Sequence, residues 1–212
     1  IFFNIPTANN NMRSACFYLL RHAESNNNKR SADDRRDSQE NNEQEMMPSA
    51  GSGNFLDKDP KEISNTLTRA QILREPDPTL SETGFRQAVH TAKYFKRVLQ
   101  DQNMPDKFKP GRLVTSMMTR TLHTSKPLIV KLNIVCKKLR ISNEISIYTN
   151  SNLHEEGGIF KGPRRNRKPE HEYTIDHGLN ATAMRKIIPG LKFAQEEIPE
   201  SGWWRGGLES SE

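Results

Sequence analysis

The sequence predicts an α/β fold, a three-layer sandwich in which a mainly parallel sheet is flanked by helices. Short apolar or β-branched runs alternate with segments of helical periodicity, in the order strand, helix, strand, helix, strand. The length, 212 residues, suits a single domain of that class. The third observation concerns the core. Hydrophobic residues make up only 33% of the chain, low for this size, so part of the length lies outside the core.

The first element is read in "SACFYLLRH", residues 14–22. Its aromatic and leucine content predicts a short buried strand at about residues 15–20 that ends abruptly in charge at Arg21 and His22. Residues 29–62 are rich in Asn, Asp, Glu, Arg and Ser, with Gly51-Ser52-Gly53 inside. Such a segment buries too little apolar surface to offset the entropy of ordering, and a disordered polar insertion is expected. Thr79 and Glu82 then have capping-box spacing. Phe85, Ala88, Ala92, Phe95 and Leu99 follow at steps of three and four, one apolar face of a helix.

"GRLVTS" after Pro110 reads as a second strand. "TRTLHTSKPLIVKLN" begins as a helix that Pro127 is expected to break or restart. "EISIYTNSNL" is a third, β-leaning run. Residues 157–180 read as loop, with a short helix near 181–188 after Asn180 and a turn at "PESGWW". There is no internal repeat.

The formal net charge of +6 favours anionic partners without choosing among phosphorylated molecules, nucleic acid and acidic lipid. Cys16 and Cys136 stand far apart, unlike a disulfide framework or a clustered zinc site, which fits an intracellular, cytoplasmic setting. No run approaches the ~20 apolar residues of a membrane span, so no membrane partner is expected. The opening "IFFNIPTANNNMR" makes a poor signal peptide. The first residue is not Met, and a piece of a longer product is expected.

Open α/β sheets bind ligands beyond the carboxyl ends of their strands. There the sequence offers Arg21 and His22, then Ser116 and Arg120, then Leu153, His154 and Glu155. An imidazole, two guanidiniums and a carboxylic acid suit phosphoryl transfer through histidine. The imidazole attacks phosphorus, the guanidiniums hold the equatorial oxygens with forked hydrogen bonds, and the acid protonates the departing oxygen. No metal or other cofactor is required.

Four segments in order resemble the histidine phosphatase superfamily, also called the phosphoglycerate-mutase-like family. "LLRHAESNNN" is similar to its Arg-His-Gly opening, with Ala23 in place of Gly. "DPTLSETGFRQA" is similar to its Leu-Ser/Thr-x-x-Gly-x-x-Gln-Ala signature. "TSMMTRTLHTSKPL" resembles Ser-Pro-Leu-x-Arg-Ala-x-Gln-Thr, with Met117, Thr121 and His123 at the departures. "NLHEEGGIFKGP" resembles the Leu-x-Glu segment, and "ESGWW" a late segment of some members.

The resemblance implies that His22 is the nucleophile that becomes phosphohistidine. Arg21 and Arg120 clamp the phosphate, Asn28 adds a phosphate contact, and Glu155 is the proton donor and then the base. It implies a phosphorylated small molecule or a phosphoprotein as substrate. The Glu-Arg-His-Tyr-Gly stretch of the glycolytic mutases is replaced by "LHEEGGIFKGP", which favours a phosphatase-type member over a phosphoglycerate mutase.

Other readings stay open. Glu156 competes with Glu155, and Arg120 could sit on an ordinary helix surface. His123 and His154 read as helix-face or pocket-rim residues. "RRNRK" is a solvated loop, a phosphate-recruiting lid or a nucleic-acid patch, and Trp203-Trp204 is packing before it is a base-stacking platform. Nucleic acid is the disfavoured partner. The family's second histidine, which follows a late strand, has no counterpart after Trp204. His177 is discounted because "KPEHEYTID" before it is polar. A domain spanning 1–212 and incomplete at its C-terminus is therefore expected, with a non-catalytic phosphate- or protein-binding relative as the alternative to an enzyme.

Overall fold

The computed structural model of the chain describes residues 2–4, 18–45, 75–103, 112–139, 145–154, 159–161, 174–194 and 197–205. The elements in chain order are β1 (Phe2–Asn4), α1 (Asn26–Glu45), α2 (Glu82–Gln100), β2 (Arg112–Ser116), α3 (Thr119–Lys138), β3 (Ser146–Asn150), β4 (Phe160–Lys161), β5 (Thr174–Ile175), α4 (Ala181–Ile187) and β6 (Lys192–Phe193). The main sheet has the order β1-β2-β3-β6. β2 and β3 run parallel, with Arg112 opposite Ser146 and Ser116 opposite Asn150. β6 is parallel to β3, and β1 is antiparallel to β2. β4 and β5 form a separate antiparallel pair. The class is α/β, with three parallel strands and one antiparallel edge.

Period-two alternation sends Leu113 and Thr115 of β2, and Ile147 and Thr149 of β3, to one buried face. α3 packs there, and its Ser125 hydroxyl donates to Thr115 Oγ1 at 3.1 Å. α2 and α4 both pack against α3. Leu122, Leu128, Ile129, Leu132 and Val135 of α3 join Ala92, Phe95 and Leu99 of α2 in one core with Met184, Trp203 and Trp204. On the opposite sheet face the Arg112 guanidinium lies 5.0 Å from the centre of the Tyr148 ring, and Lys192 Nζ lies 5.4 Å from it.

Two helices differ in detail from expectation. Ser81 caps α2, its hydroxyl accepting from Gly84 N at 3.0 Å. Thr79 instead turns its hydroxyl to His123. Phe85, expected on the apolar face, is 44% exposed and meets the His123 ring at 5.4 Å. α3 runs unbroken through Pro127. An interior proline costs a helix about 3 kcal/mol, and the buried leucines and isoleucine on either side of it offset that cost.

The first expected strand is not formed at residues 18–20, which have no regular structure. Tyr18 meets Phe95 edge-on at 5.3 Å, and Leu20 packs half-buried on the core, while Leu19 is 74% exposed. The place beside β2 is taken by β1, whose Phe-Phe-Asn extends antiparallel to it.

The segment expected to be disordered, 29–62, is helical over 29–45 as part of α1, and 46–62 lies outside the described residues. Local hydrogen bonding, which composition does not register, starts this helix. Ser25 Oγ accepts from Asn28 N at 3.3 Å, and Ser25 N donates to Asn28 Oδ1 at 3.1 Å, a reciprocal cap with Asn at the third helical position. Asn27 then grips the Glu75 backbone from both sides, and Arg30 pairs with the Glu75 carboxylate at 2.6 Å. An ion pair this open is worth ~0–1 kcal/mol, so the cap and the Asn27 bonds carry the start of the helix. Among the described residues, no helix is long and apolar enough to cross a membrane.

Candidate active site

The loop that carries Arg21 and His22 is seated by the start of α2. Residues 24–26 and 79–81 lie antiparallel: Asn26 N donates to Thr79 O and Ser81 N donates to Glu24 O, both at 3.0 Å. Gln87 Oε1 accepts from Glu24 N at 2.9 Å, and the Ser81 hydroxyl donates to the Glu24 carboxylate. Gly84 lies so close that a Cβ built on it would stand 2.0 Å from Glu24 O. Leu80 and Ala88 pack on Ala23. Leu80, Ser81, Gly84, Gln87 and Ala88 therefore all act on the loop behind His22. The Ala23 methyl has its own apolar seat, so the departure from Gly at this position is accommodated.

His22 is half-buried, and its Nδ1 lies 2.7 Å from Ala23 O. A carbonyl only accepts, so Nδ1 carries the proton in that contact, and in the neutral ring the lone pair is on Nε2. Arg21 is exposed. Ala23 N donates to Thr124 Oγ1 at 3.1 Å, and that hydroxyl donates to Arg120 O at 2.8 Å. The His22 loop is thus tied to the turn of α3 that bears Arg120, a residue only 5% exposed. Asn28 uses its side-chain oxygen in the α1 cap. Glu155 and its rival Glu156 lie outside the described residues.

Two residues that the sequence did not single out, Asp77 and Thr124, and one that it marked only as a helix cap, Thr79, hold this end of α3. Asp77 accepts from Thr119 N at 2.9 Å and from Thr119 Oγ1 at 2.6 Å. Burial pushes its carboxyl above the usual carboxylate range, against the Thr119 hydrogen bonds and the Arg120 guanidinium, while the Asp176 carboxylate adds to the upward push. Thr79 Oγ1 lies 3.0 Å from His123 Nδ1. Thr124 makes the bridge to Ala23. One signal in the sequence pointed here: "SMMTR" puts Met118, which cannot cap, at the start of a helix.

Burial pushes the His123 imidazole below its usual value of 6.5, and the Lys126 ammonium acts in the same direction. The unfolded chain then takes up a proton that the folded chain refuses in the window just below 6.5. The stabilisation from neutral His123 is complete above that value and is lost as pH falls through the folded value. Thermal unfolding between about pH 5 and pH 7 should show a drop on acidification that is smaller in His123→Gln. Parallel curves for the two proteins would count against the assignment.

A cleft of about 1090 Å³ opens past the carboxyl ends of β3 and β6, lined by Ser151, His154, Glu197, Trp203, Trp204 and Arg205 among others. His154 is a wall residue of this cleft. Its Nδ1 lies 2.8 Å from Ser151 O, and its ring meets Trp204 edge-on at 4.7 Å. Trp203 and Trp204 are buried, in keeping with packing. His177 is exposed. It is joined to the tryptophan turn by its Nδ1, 3.2 Å from Trp204 O, and by Trp204 N donating to its carbonyl at 2.9 Å. Gly178 and Gly202, at φ +67° and +132°, permit this approach, because a Cβ on either would collide with the facing segment. Among the described residues, no group of three His, Cys, Asp or Glu could hold a metal ion. The chain matches no protein-family model and no curated protein sequence.

Proposed function

We propose that the chain is a phosphatase-type member of the phosphoglycerate-mutase-like histidine phosphatases. The observation that carries the reading is the bridge from Ala23 N through Thr124 Oγ1 to Arg120 O. The bridge ties Ala23, next to His22, to a side chain 101 residues away on the helical turn that also bears Arg120.

In this reading His22 Nε2 attacks the phosphorus of a phosphomonoester. The N–P bond forms as the P–O bond to the leaving group breaks, and Glu155 gives its proton to the departing oxygen. The Glu155 carboxylate then takes a proton from water, whose oxygen attacks the phosphohistidine and returns His22. Arg21 and Arg120 hold the phosphate oxygens, and the Asn28 NH2 adds a donor. The substrate is a phosphorylated small molecule or a phosphoprotein, met in the cytoplasm. A second helical layer would cover the Arg112–Tyr148 face of the sheet and complete a three-layer sandwich.

Hydrolysis of phosphomonoesters by the chain tests the reading, with Glu155→Gln as the informative variant. Turnover should fall by ~10²–10⁴-fold, the usual worth of general acid–base catalysis, with phosphate binding retained and the least loss for good leaving groups. If Glu156→Gln has that signature instead, the donor is one residue further on. Phosphate binding without any turnover would make the chain a non-catalytic relative.

A further inference from the structure

We propose that Asp77 is a positioning residue for Arg120: a carboxylate supplied by the loop before α2 that caps α3 and fixes the turn from which the guanidinium extends. The inference rests on the phosphate-binding role of Arg120 given above.

A helix leaves its first N–H groups without partners inside the helix. α3 begins at Thr119, and its own flanking residue, Met118, provides no side-chain acceptor. Asp77 takes that place from 42 residues upstream. Its Oδ1 accepts from Thr119 N at 2.9 Å, and its Oδ2 accepts from Thr119 Oγ1 at 2.6 Å and from Thr119 N at 3.2 Å. Arg120 is the next residue.

The loop around Asp77 is itself held at both ends. Glu75 is gripped by Asn27 and Arg30 of α1. Thr79 is bonded through its carbonyl to Asn26 N and lies against His123 through its hydroxyl. Asp77 is therefore a fixed acceptor. Among the described residues it makes no ion pair with Arg120. Its oxygens go to Thr119, so it acts on the turn that bears the arginine. Bidentate binding depends on where the guanidinium starts, because displacement by about 1 Å costs up to ~10²-fold in well-aligned sites.

The test is calorimetric titration of inorganic phosphate into the parent chain, Arg120→Ala, Asp77→Ala and Asp77→Asn, with thermal unfolding of each. Arg120→Ala should lose phosphate binding. Asp77→Ala should bind on the order of tenfold more weakly at temperatures where it is folded. Asp77→Asn should return to within roughly threefold of the parent, because the amide oxygen still accepts from Thr119 N. An Asp77→Ala protein of lowered melting temperature and parental phosphate affinity would overturn the positioning role alone. So would Asp77→Asn as weak as Asp77→Ala. A parent that binds no phosphate, or an Arg120→Ala protein that binds it as the parent does, would overturn the reading of Arg120 and this inference with it. If Asp77→Ala does not fold, Thr119→Val replaces it. That variant keeps the N–H and loses the hydroxyl, and weakened phosphate binding supports the inference while parental affinity overturns it.

Discussion

His22→Ala should abolish acid-labile labelling of the chain by a radioactive phosphate donor and lower phosphomonoester turnover on the order of 10³-fold or more, as removal of a covalent nucleophile does. The size of the effect follows from what the imidazole supplies. With Nδ1 turned to Ala23 O, Nε2 is the basic nitrogen, and no neighbouring side chain in the loop can replace a neutral nucleophile at that atom. Arg21 is cationic, and Ser25 is bonded to Asn28 at the start of α1. His90, exposed on α2 and remote from these motifs in sequence, is the control: His90→Ala should keep both label and turnover. Label that survives in His22→Ala would remove this residue from the mechanism.

Gly84→Ala should be destabilising, and two opposed effects decide its size. Alanine in place of glycine inside a helix is worth roughly 1 kcal/mol in its favour. Against that, the new Cβ would meet Glu24 O at 2.0 Å. Real Cβ contacts are not found that short, and the obstacle is backbone, which cannot swing aside as a side-chain end can. Overpacking of this kind costs about 1–3 kcal/mol or more, so the clash outweighs the propensity gain. The loop at Glu24 has to leave α2, carrying Ala23 and His22 with it. Labelling should therefore fall further than the melting temperature alone accounts for. Gly190→Ala separates backbone strain from collision, since Gly190 has φ +79° and nothing within 4 Å of its virtual Cβ. A Gly84→Ala protein as stable as the parent, with parental labelling, would mean that Glu24 does not sit on α2.

The parts of the fold legible in the sequence are those with a strong local period. Ala88, Ala92, Phe95 and Leu99 of α2 followed from helical spacing, and β2 and β3 from short β-leaning runs, while buried Val98 was not anticipated. The short helix after Asn180 is also present, and the Asn180 side chain accepts from Ala183 N at 2.9 Å. Misreadings arose where a partner distant in sequence decides the outcome. Residues 18–20 are apolar enough for a strand, but an apolar run does not reveal that β1 occupies the neighbouring sheet edge. α1 looked too polar to order, because reciprocal capping by Ser25 and Asn28 and the grip of Asn27 on Glu75 leave no hydrophobic signature.

The candidate site shows the same division. His22, Arg21 and Arg120 stood out by residue type after runs read as strands, although no strand forms at residues 18–20 before Arg21. Asp77 did not, since a cap drawn from 42 residues away has no local pattern. Asn28 was read as a phosphate contact and not as a cap, although Ser-x-x-Asn spacing was present. Leu80, Gly84 and Gln87 were read as part of a resemblance, and the proximity of Ala23 to Leu80 and of Glu24 to Gly84 and Gln87 gives each a physical task.

The tryptophan turn sets what intrinsic fluorescence can report. The chain has two tryptophans, adjacent in sequence, with ring centres 5.6 Å apart and nearly perpendicular. Every indole photon thus originates at the junction of residues 177–178 with 202–204. Emission changes on heating or in denaturant will follow the release of that clamp, at the place where the two indoles join the core shared with α2 and α3. A fluorescence midpoint below the midpoint by circular dichroism would show that the junction opens before the helices melt. Coincident midpoints would show that it belongs to the same cooperative unit.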